Sequence, residues 1–235
     1  MTTSMPELET RARLSQGTSN SAIYEMVART ISRHSIQGNV LVDVGCGGGQ
    51  LWRYLGRKFA KYIGVDGVLY EDLPPEIEFH YHDFDSGHIP LPTGAGDVVV
   101  AVETIEHLEN PRPFFRDLSR LTRPGGWLIL TTPNQLSLLS ILTLIFKKQF
   151  NAFQDVHYPA HLSALLEVDL KRIATECGLQ DVQIEYSCKG RIVLTSRHYP
   201  AFMARIFPRL CSDNLLVIGR RPGGMVIRPG KPGNC

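Results

Sequence analysis

Read for its apolar and polar positions, the chain breaks into short apolar runs set between longer amphipathic stretches. Val40–Val44, Tyr62–Asp66, Ile77–Tyr81, Asp97–Val102 and Trp127–Thr132 are runs of strand length. They are β-branched, nearly continuous in apolar character and closed by glycine or a carboxylate, the form of parallel strands buried on both faces. Ile23, Met26, Val27, Thr30 and Ile31 recur at helical spacing behind Ser19 or Asn20, either of which can cap a helix. Such a helix would cover the sheet edge or the mouth of a site. Pro113–Leu121 reads as a helix stopped by Arg123-Pro-Gly-Gly126. Leu166, Leu170, Ile173 and Cys177 mark one face of a helix that begins near Ser163 and is closed by Gly178. Residues 1–19 are polar and weakly patterned and are expected to be mobile. The Gly/Pro-rich residues 222–235 are expected to be disordered.

The densest chemistry lies in Val40-Leu-Val-Asp-Val-Gly-Cys-Gly-Gly-Gly-Gln-Leu51, a strand, a glycine turn and the start of a helix carrying Leu51, Trp52 and Leu55. Four glycines in five residues let the backbone take positive φ and approach a ligand closely. A helix beginning there would offer unpaired N–H groups and a positive dipole end. A dinucleotide fingerprint would need glycine at Gln50, and a P-loop would need Gly-Lys-Ser/Thr, which is missing. Asp43 stands just before the turn, where no pyrophosphate would welcome it. A carboxylate beside a glycine turn suits S-adenosyl-L-methionine, which carries an ammonium and a sulfonium but no phosphate.

Carboxylates close the later strands too. Asp66 lies 23 residues beyond Asp43, a distance at which an acidic group can reach a ribose diol or simply cap a helix. Asp83 could accept from an adenine amino group with Phe84 near the ring, or serve as a turn residue beside a core aromatic. The ordered set Asp43-x-Gly-x-Gly-x-Gly49, Asp66, Asp83-Phe84, Glu103-x-x-Glu106-His107 and Arg123-Pro-Gly-Gly-Trp-Leu-Ile-Leu-Thr-Thr-Pro-Asn134 resembles the class I S-adenosylmethionine-dependent methyltransferases. Within them it is similar to the type-11 branch of the ubiquinone-biosynthesis O-methyltransferase and of glycan and natural-product methyltransferases.

The resemblance implies a doubly wound, Rossmann-like α/β fold, with a seven-stranded, mostly parallel sheet and a terminal antiparallel hairpin. Asp181–Tyr186 and Asn214–Gly219 are the candidates for its last strands. It further implies that Asp43 and the Gly45, Cys46 and Gly47 turn approach the methionine part. Asp66 with Gly67 would take the ribose, Asp83 and Phe84 the adenine, and Glu103 would sit near the donor methyl. Residues 20–221 then form one methyltransferase domain, with insertions at 135–161 (a helical lid) and 189–210 turned toward the substrate.

Charge sharpens this picture. From Asp66 to Glu109 there are eleven acidic residues and no Lys or Arg, surroundings that attract a cationic donor. Glu103, Glu106 and His107 could together hold Mg²⁺, but a hard cation takes more oxygen ligands than these supply, and no metal is expected. His107 is read as the general base for a hydroxyl acceptor, followed by His157, with Glu106 beside them. In His157-Tyr-Pro-Ala-His161 either histidine could face the acceptor. Leu136–Phe146 is apolar nearly all round and too short to span a bilayer; it reads first as an ordinary buried helix of a substrate lid, and otherwise as a cap on an apolar acceptor or a segment lying in a membrane interface. Lys189–Leu210 interleaves Arg191, Arg197, Arg205 and Arg209 with apolar residues, which suits an anionic headgroup or a phosphate-bearing acceptor.

Length and composition add bounds. The 235 residues and 43% hydrophobic content are compatible with one α/β domain. A net charge of +2 makes no case for nucleic acid, and Thr132-Pro-Asn134 is no base-flipping motif. Five cysteines without paired or metal-type spacing point to a reducing compartment, and Cys235 is not placed as a prenylation box. No apolar leader is visible at the start. The expectation is a cytoplasmic enzyme able to lie at a membrane through residues 136–148, and a homodimer is compatible with the sequence. It would methylate a hydroxyl of a small molecule or lipid-linked glycan. N- or C-methylation, a non-catalytic adenosyl-binding role and an NAD-dependent oxidoreductase are the alternatives, Gln50 arguing against the last.

Overall fold

The computed structural model describes residues 17–223. The expectations for residues 1–16 and 224–235, Cys235 included, lie outside the described residues. Seven strands form one sheet in the order β3-β2-β1-β4-β5-β7-β6. They are β1 Val40–Val44, β2 Lys61–Asp66, β3 Glu78–Tyr81, β4 Gly96–Val102, β5 Thr122–Pro133, β6 Gln180–Tyr186 and β7 Asn214–Arg220. The first five pair in parallel, and β7 runs antiparallel between β5 and β6. This is the doubly wound, mostly parallel sheet with an antiparallel end that the resemblance implied.

Alternate residues of the buried strands feed two cores. Leu41, Val98, Val100, Ile129 and Ile218 face α1 (Ser21–Arg33), meeting Ile23, Met26 and Val27. Val42, Val99, Ala101, Leu128 and Leu130 face α3 (Pro111–Leu121) and α5 (Glu167–Glu176), meeting Phe115, Leu118, Leu170 and Ile173. Burying side chains of this size stabilises the fold by roughly 1.5–3 kcal/mol each. Asn20 is the cap of α1, its Oδ1 accepting from the Ala22 N–H at 3.0 Å. The far end of α1 is tied to β6, where Glu185 accepts from Thr30 Oγ1 at 2.6 Å and meets Arg33 and His34.

Three elements differ from the pattern reading. The helix after the glycine turn, α2, spans only Trp52–Leu55 before a 3₁₀ turn at Gly56–Lys58. Gly56 is a poor helix former, and the Trp52 ring lies over it, within 2.4 Å of where a Cβ would stand. One helical turn has little macrodipole to offer a ligand. The strand β5 begins at Thr122 and runs through Arg123-Pro-Gly-Gly126, accommodating it as a bulge: the register with β4 shifts between Gly96 and Val98. The helix expected from Ser163 starts at Glu167, because the Ser163 N–H binds the Glu106 carbonyl and its hydroxyl binds the Leu108 carbonyl.

The apolar run forms α4, Leu138–Lys147, capped by Ser137, whose Oγ accepts from the Ser140 N–H. A short helix, α6 (Ala201–Ile206), lies in the crossover between β6 and β7. No helix among the described residues is long and apolar enough to cross a membrane.

Candidate active site

The carboxyl ends of β1, β2, β3 and β4 open into one cavity of about 430 Å³, the position at which parallel α/β sheets take ligands. All twelve residues singled out in the sequence for donor or acceptor roles lie on its wall. At its floor the glycine turn is held by contacts that require glycine. Gly45 has φ +80° and sits on Thr104, whose Oγ1 would be 2.2 Å from an added Cβ. Gly47 has φ +50°, and a Cβ there would meet the Gly17 carbonyl at 1.9 Å. Residues 17–19, expected as part of a mobile segment, thus lie across the turn. The Gly17 carbonyl accepts from the Gly48 N–H at 3.2 Å, and the Ser19 N–H donates to Tyr24 Oη at 2.8 Å.

The turn's amides are already paired. The Gly45 and Cys46 N–H groups donate to the Val65 carbonyl, Gly47 N–H to Asp66 Oδ2 at 2.8 Å, and Gly49 N–H to the Cys46 carbonyl. No row of amide donors is left to cradle a phosphate. The opposite holds for acceptors. Asp43 Oδ1, Glu103 Oε1 and Glu106 Oε1 are buried without a hydrogen-bond partner among the described residues, and all three side chains line the cavity. Such oxygens call for a cationic or donor-rich ligand.

Burial sets their charge states. Asp43 accepts from Tyr62 Oη at 2.7 Å, yet desolvation pushes its carboxyl up to about 7. Glu103 is pushed up to about 7 by the same cause, against hydrogen bonds from Thr131 and from Asn214 Nδ2 at 2.8 Å. It holds φ +49° at the end of β4, a strained conformation for a residue with a side chain. Glu106, fully buried, is raised by desolvation and then by Glu103; its Oε2 accepts from Thr132 Oγ1 at 3.1 Å. Asp66 is raised by burial and clamps the turn through Gly47 and Val68. Asp83 closes a turn on the Asp85 N–H, and Phe84 packs edge-on against Phe114, so both carry a structural role on the cavity wall. The Cys46 thiol is pushed up by burial and does not act as a thiolate.

The far end of the cavity is built from imidazoles. His107 Nδ1 lies 2.7 Å from the Ala160 carbonyl and His161 Nδ1 lies 2.6 Å from the Ala152 carbonyl. A carbonyl only accepts, so both rings carry hydrogen on Nδ1, and in the neutral form of each ring the lone pair falls on Nε2. His161 stands between His107 and His157, with ring centroids at 4.8 Å and 5.6 Å. Ligand-type atoms of Glu106, His107 and His161 lie within 4.8 Å of one another. The group able to hold a divalent ion therefore takes His161 from the lid in place of Glu103, whose carboxylate Asn214 holds. The lid is pinned by the Glu106 carbonyl, which accepts from the Leu162 and Ser163 N–H groups.

A family model described as a methyltransferase domain matches residues 20–184. The chain belongs to this family. It is 29% identical over 183 residues to the mitochondrial ubiquinone biosynthesis O-methyltransferase of Rattus norvegicus, a match covering 67% of this chain and 52% of that protein. The chain thus spans about half the length of that curated relative. Its fold is similar to that of a SAM-dependent methyltransferase from Archaeoglobus fulgidus, with a TM-score of 0.60 and 18% identity over 84% of this chain and 94% of that one. It is also similar to the [4+2]-cyclase SpnF, with a TM-score of 0.55 and 20% identity over 86% and 81% of the two chains.

The cofactor of the methyltransferase domain is S-adenosyl-L-methionine. The cavity suits it: unpartnered carboxylate oxygens match the chemistry of an ammonium and a sulfonium, and the paired amides suit a ligand without phosphate. Several residues of this site were not singled out in the sequence. Tyr62 holds Asp43 from a buried strand position, Asn214 reaches Glu103 across β5, and Thr131 and Thr132 secure the two glutamates. The pairing of Pro133 with Asn214, a register no motif encodes, is what brings Asn214 to Glu103. Of the two insertions, only 156–161 reaches the cavity. No residue of 187–212 lies on its wall, since Arg209 is held outside by Glu167 at 2.9 Å.

Proposed function

We propose that this methyltransferase domain transfers the methyl group of S-adenosyl-L-methionine to a hydroxyl oxygen of a small-molecule or lipid-linked acceptor. The observation that carries the reading is the meeting in one cavity of orphaned carboxylate oxygens, from Asp43, Glu103 and Glu106, with the imidazoles of His107, His157 and His161. Asp43 and Glu103 would meet the cationic groups, Asp66 the ribose hydroxyls, and Asp83 with Phe84 the adenine. When bound, S-adenosyl-L-methionine supplies an electrophilic methyl on a sulfonium that departs as a neutral thioether. His107 would take the acceptor's hydroxyl proton on Nε2 as the oxygen–carbon bond forms. Glu106 positions that ring by anchoring the lid. Alignment within the cavity supplies most of the acceleration, since the donor is already activated.

O-methylation is favoured over N- or C-methylation because an alcohol, unlike an amine, must lose its proton during attack, and imidazoles line the cavity that would hold it. A second reading, adenosyl-ligand binding without methyl transfer, draws support from the fold shared with the [4+2]-cyclase SpnF. Titration calorimetry with S-adenosyl-L-methionine, S-adenosyl-L-homocysteine and NAD separates these, together with radiolabelled-methyl transfer to a panel of catechols, phenols and polyprenyl-linked phenols. Binding of both adenosyl ligands with label in an ether product is the expected result. Adenosyl binding with no label on any acceptor favours the second reading, and binding of NAD alone sinks both.

A further inference from the structure

The helix α4 leaves its apolar C-terminal end uncovered. Its sequence is Leu-Leu-Ser-Ile-Leu-Thr-Leu-Ile-Phe-Lys, yet the one residue it buries is Ser140, whose hydroxyl accepts from the Asn151 N–H. Leu138, Leu139, Ile141 and Leu142 are half-buried, and Leu144, Ile145 and Phe146 are exposed, Phe146 reaching 80%. An exposed apolar helix in water marks a surface that something covers.

The 187–212 crossover repeats the pattern beside it. Leu194, Phe202, Ile206 and Phe207 are exposed. The two segments adjoin: the Leu138 N–H donates to the Leu210 carbonyl, and Asn134 Nδ2 donates to the Arg209 and Ser212 carbonyls. Both leave the sheet where Pro133, Asn214 and the end of β6 stand side by side, the end that also opens into the cavity.

Their charge is one-sided. Residues 135–154 and 187–212 contain seven Lys or Arg and no Asp or Glu, against eleven acids and no bases in 66–109. Lys148, Arg197 and Arg205 form no ion pair among the described residues. We infer that α4 and the 187–212 crossover together dock on an anionic lipid surface, with Phe146, Phe202 and Ile206 entering the interface and the basic residues meeting headgroups. A second copy of this chain is a poorer occupant, because a two-fold contact would set the same cations against each other. The exposed Val156 and Tyr158, in the same lid as α4, line the cavity, so docking of the lid would carry the cavity mouth toward the membrane. The inference does not depend on which reaction the cavity runs.

The test is flotation with phosphatidylcholine vesicles, with and without phosphatidylglycerol, for the intact chain, the double variant Phe146→Ser/Phe202→Ser, and the double variant Lys148→Ala/Arg205→Ala. S-adenosyl-L-homocysteine affinity, which neither variant should change, confirms that each is folded. The intact chain should float with anionic vesicles only, and less so as salt rises. Each basic residue removed should weaken partitioning about fivefold. Equal partitioning to neutral and anionic vesicles, or unchanged binding in both variants, overturns the inference. So does a dimer in sedimentation that Phe146→Ser/Phe202→Ser dissolves while no vesicle binding occurs.

Discussion

The ring of His161 meets that of His107 edge to face, their centroids 4.8 Å apart, with each Nδ1–H tied to a lid carbonyl. Burial, then His107, then His157 hold His161 down at about 4, so it is neutral at pH 7. A neutral neighbour lets His107 accept a proton without facing a second positive charge. His107→Gln should lower kcat by roughly 10²–10⁴-fold and leave the affinity for S-adenosyl-L-homocysteine nearly unchanged. His161→Gln, acting through His107, should lower kcat less and displace the acidic limb of the pH–rate profile. Normal turnover in His107→Gln would leave the base unassigned.

The same burial writes opposite pH dependences into the fold. The unfolded chain protonates His161 near 6.5, the folded one only at about 4. Its stabilisation is therefore complete above 6.5 and is lost as pH falls through 4. Asp43 and Glu103 behave the other way, rising from 3.8 and 4.5 to about 7. They bind a proton more tightly when folded, so their stabilisation is complete below the unfolded values and lost as pH rises through 7. Asp43→Asn keeps an acceptor for Tyr62 without the buried charge. It should match the parent at pH 4 and exceed it at pH 8 by on the order of a few kcal/mol. Denaturant unfolding at the two pH values measures this, and an equal effect at both would remove the charge from the account.

A cationic ligand should drive those protons off. Near pH 7 Asp43 and Glu103 are partly protonated, and a sulfonium or ammonium beside them favours the carboxylates. Calorimetry of S-adenosyl-L-methionine binding in buffers of different ionisation enthalpy should show net proton release near pH 7 that fades by pH 9. S-adenosyl-L-homocysteine, which lacks the sulfonium charge, should release fewer. Equal release for the two ligands would leave the ammonium as the only cation these carboxylates sense.

Much of this site was legible because the donor end is local in sequence. The turn Gly45–Gly49 and the carboxylates Asp66, Asp83 and Glu103 each follow a strand whose apolar run marks where it ends. The parallel order then brings those ends together. The acceptor end was less legible because it is assembled across distance. His161 reaches His107 only through a lid of two 3₁₀ turns with no hydrophobic period, and Asn214 reaches Glu103 by the antiparallel register of β7. The one-turn length of α2 was hidden as well. Leu51, Trp52 and Leu55 fit a helix face, and only the packing of Trp52 over Gly56 shows why it stops.

The fit between Gly45 and Thr104 gives a last prediction. Thr104 Oγ1 hydrogen-bonds to the Val44 and Val102 carbonyls at 3.2 Å and 3.1 Å, locking β1 to β4 directly beneath the turn. Gly45→Ala puts a methyl 2.2 Å from that hydroxyl and asks alanine to hold φ +80°. The conformational cost is about 1 kcal/mol and the overpacking a further ~1–3 kcal/mol. S-adenosyl-L-homocysteine affinity should fall more than tenfold as the turn shifts. Thr104→Ala removes the atoms in closest conflict but leaves the φ requirement. The double variant should therefore recover part of the stability lost in Gly45→Ala, and urea unfolding of all four proteins reads the coupling. Strict additivity would show that the turn yields elsewhere and that Thr104 is not what makes glycine necessary at position 45.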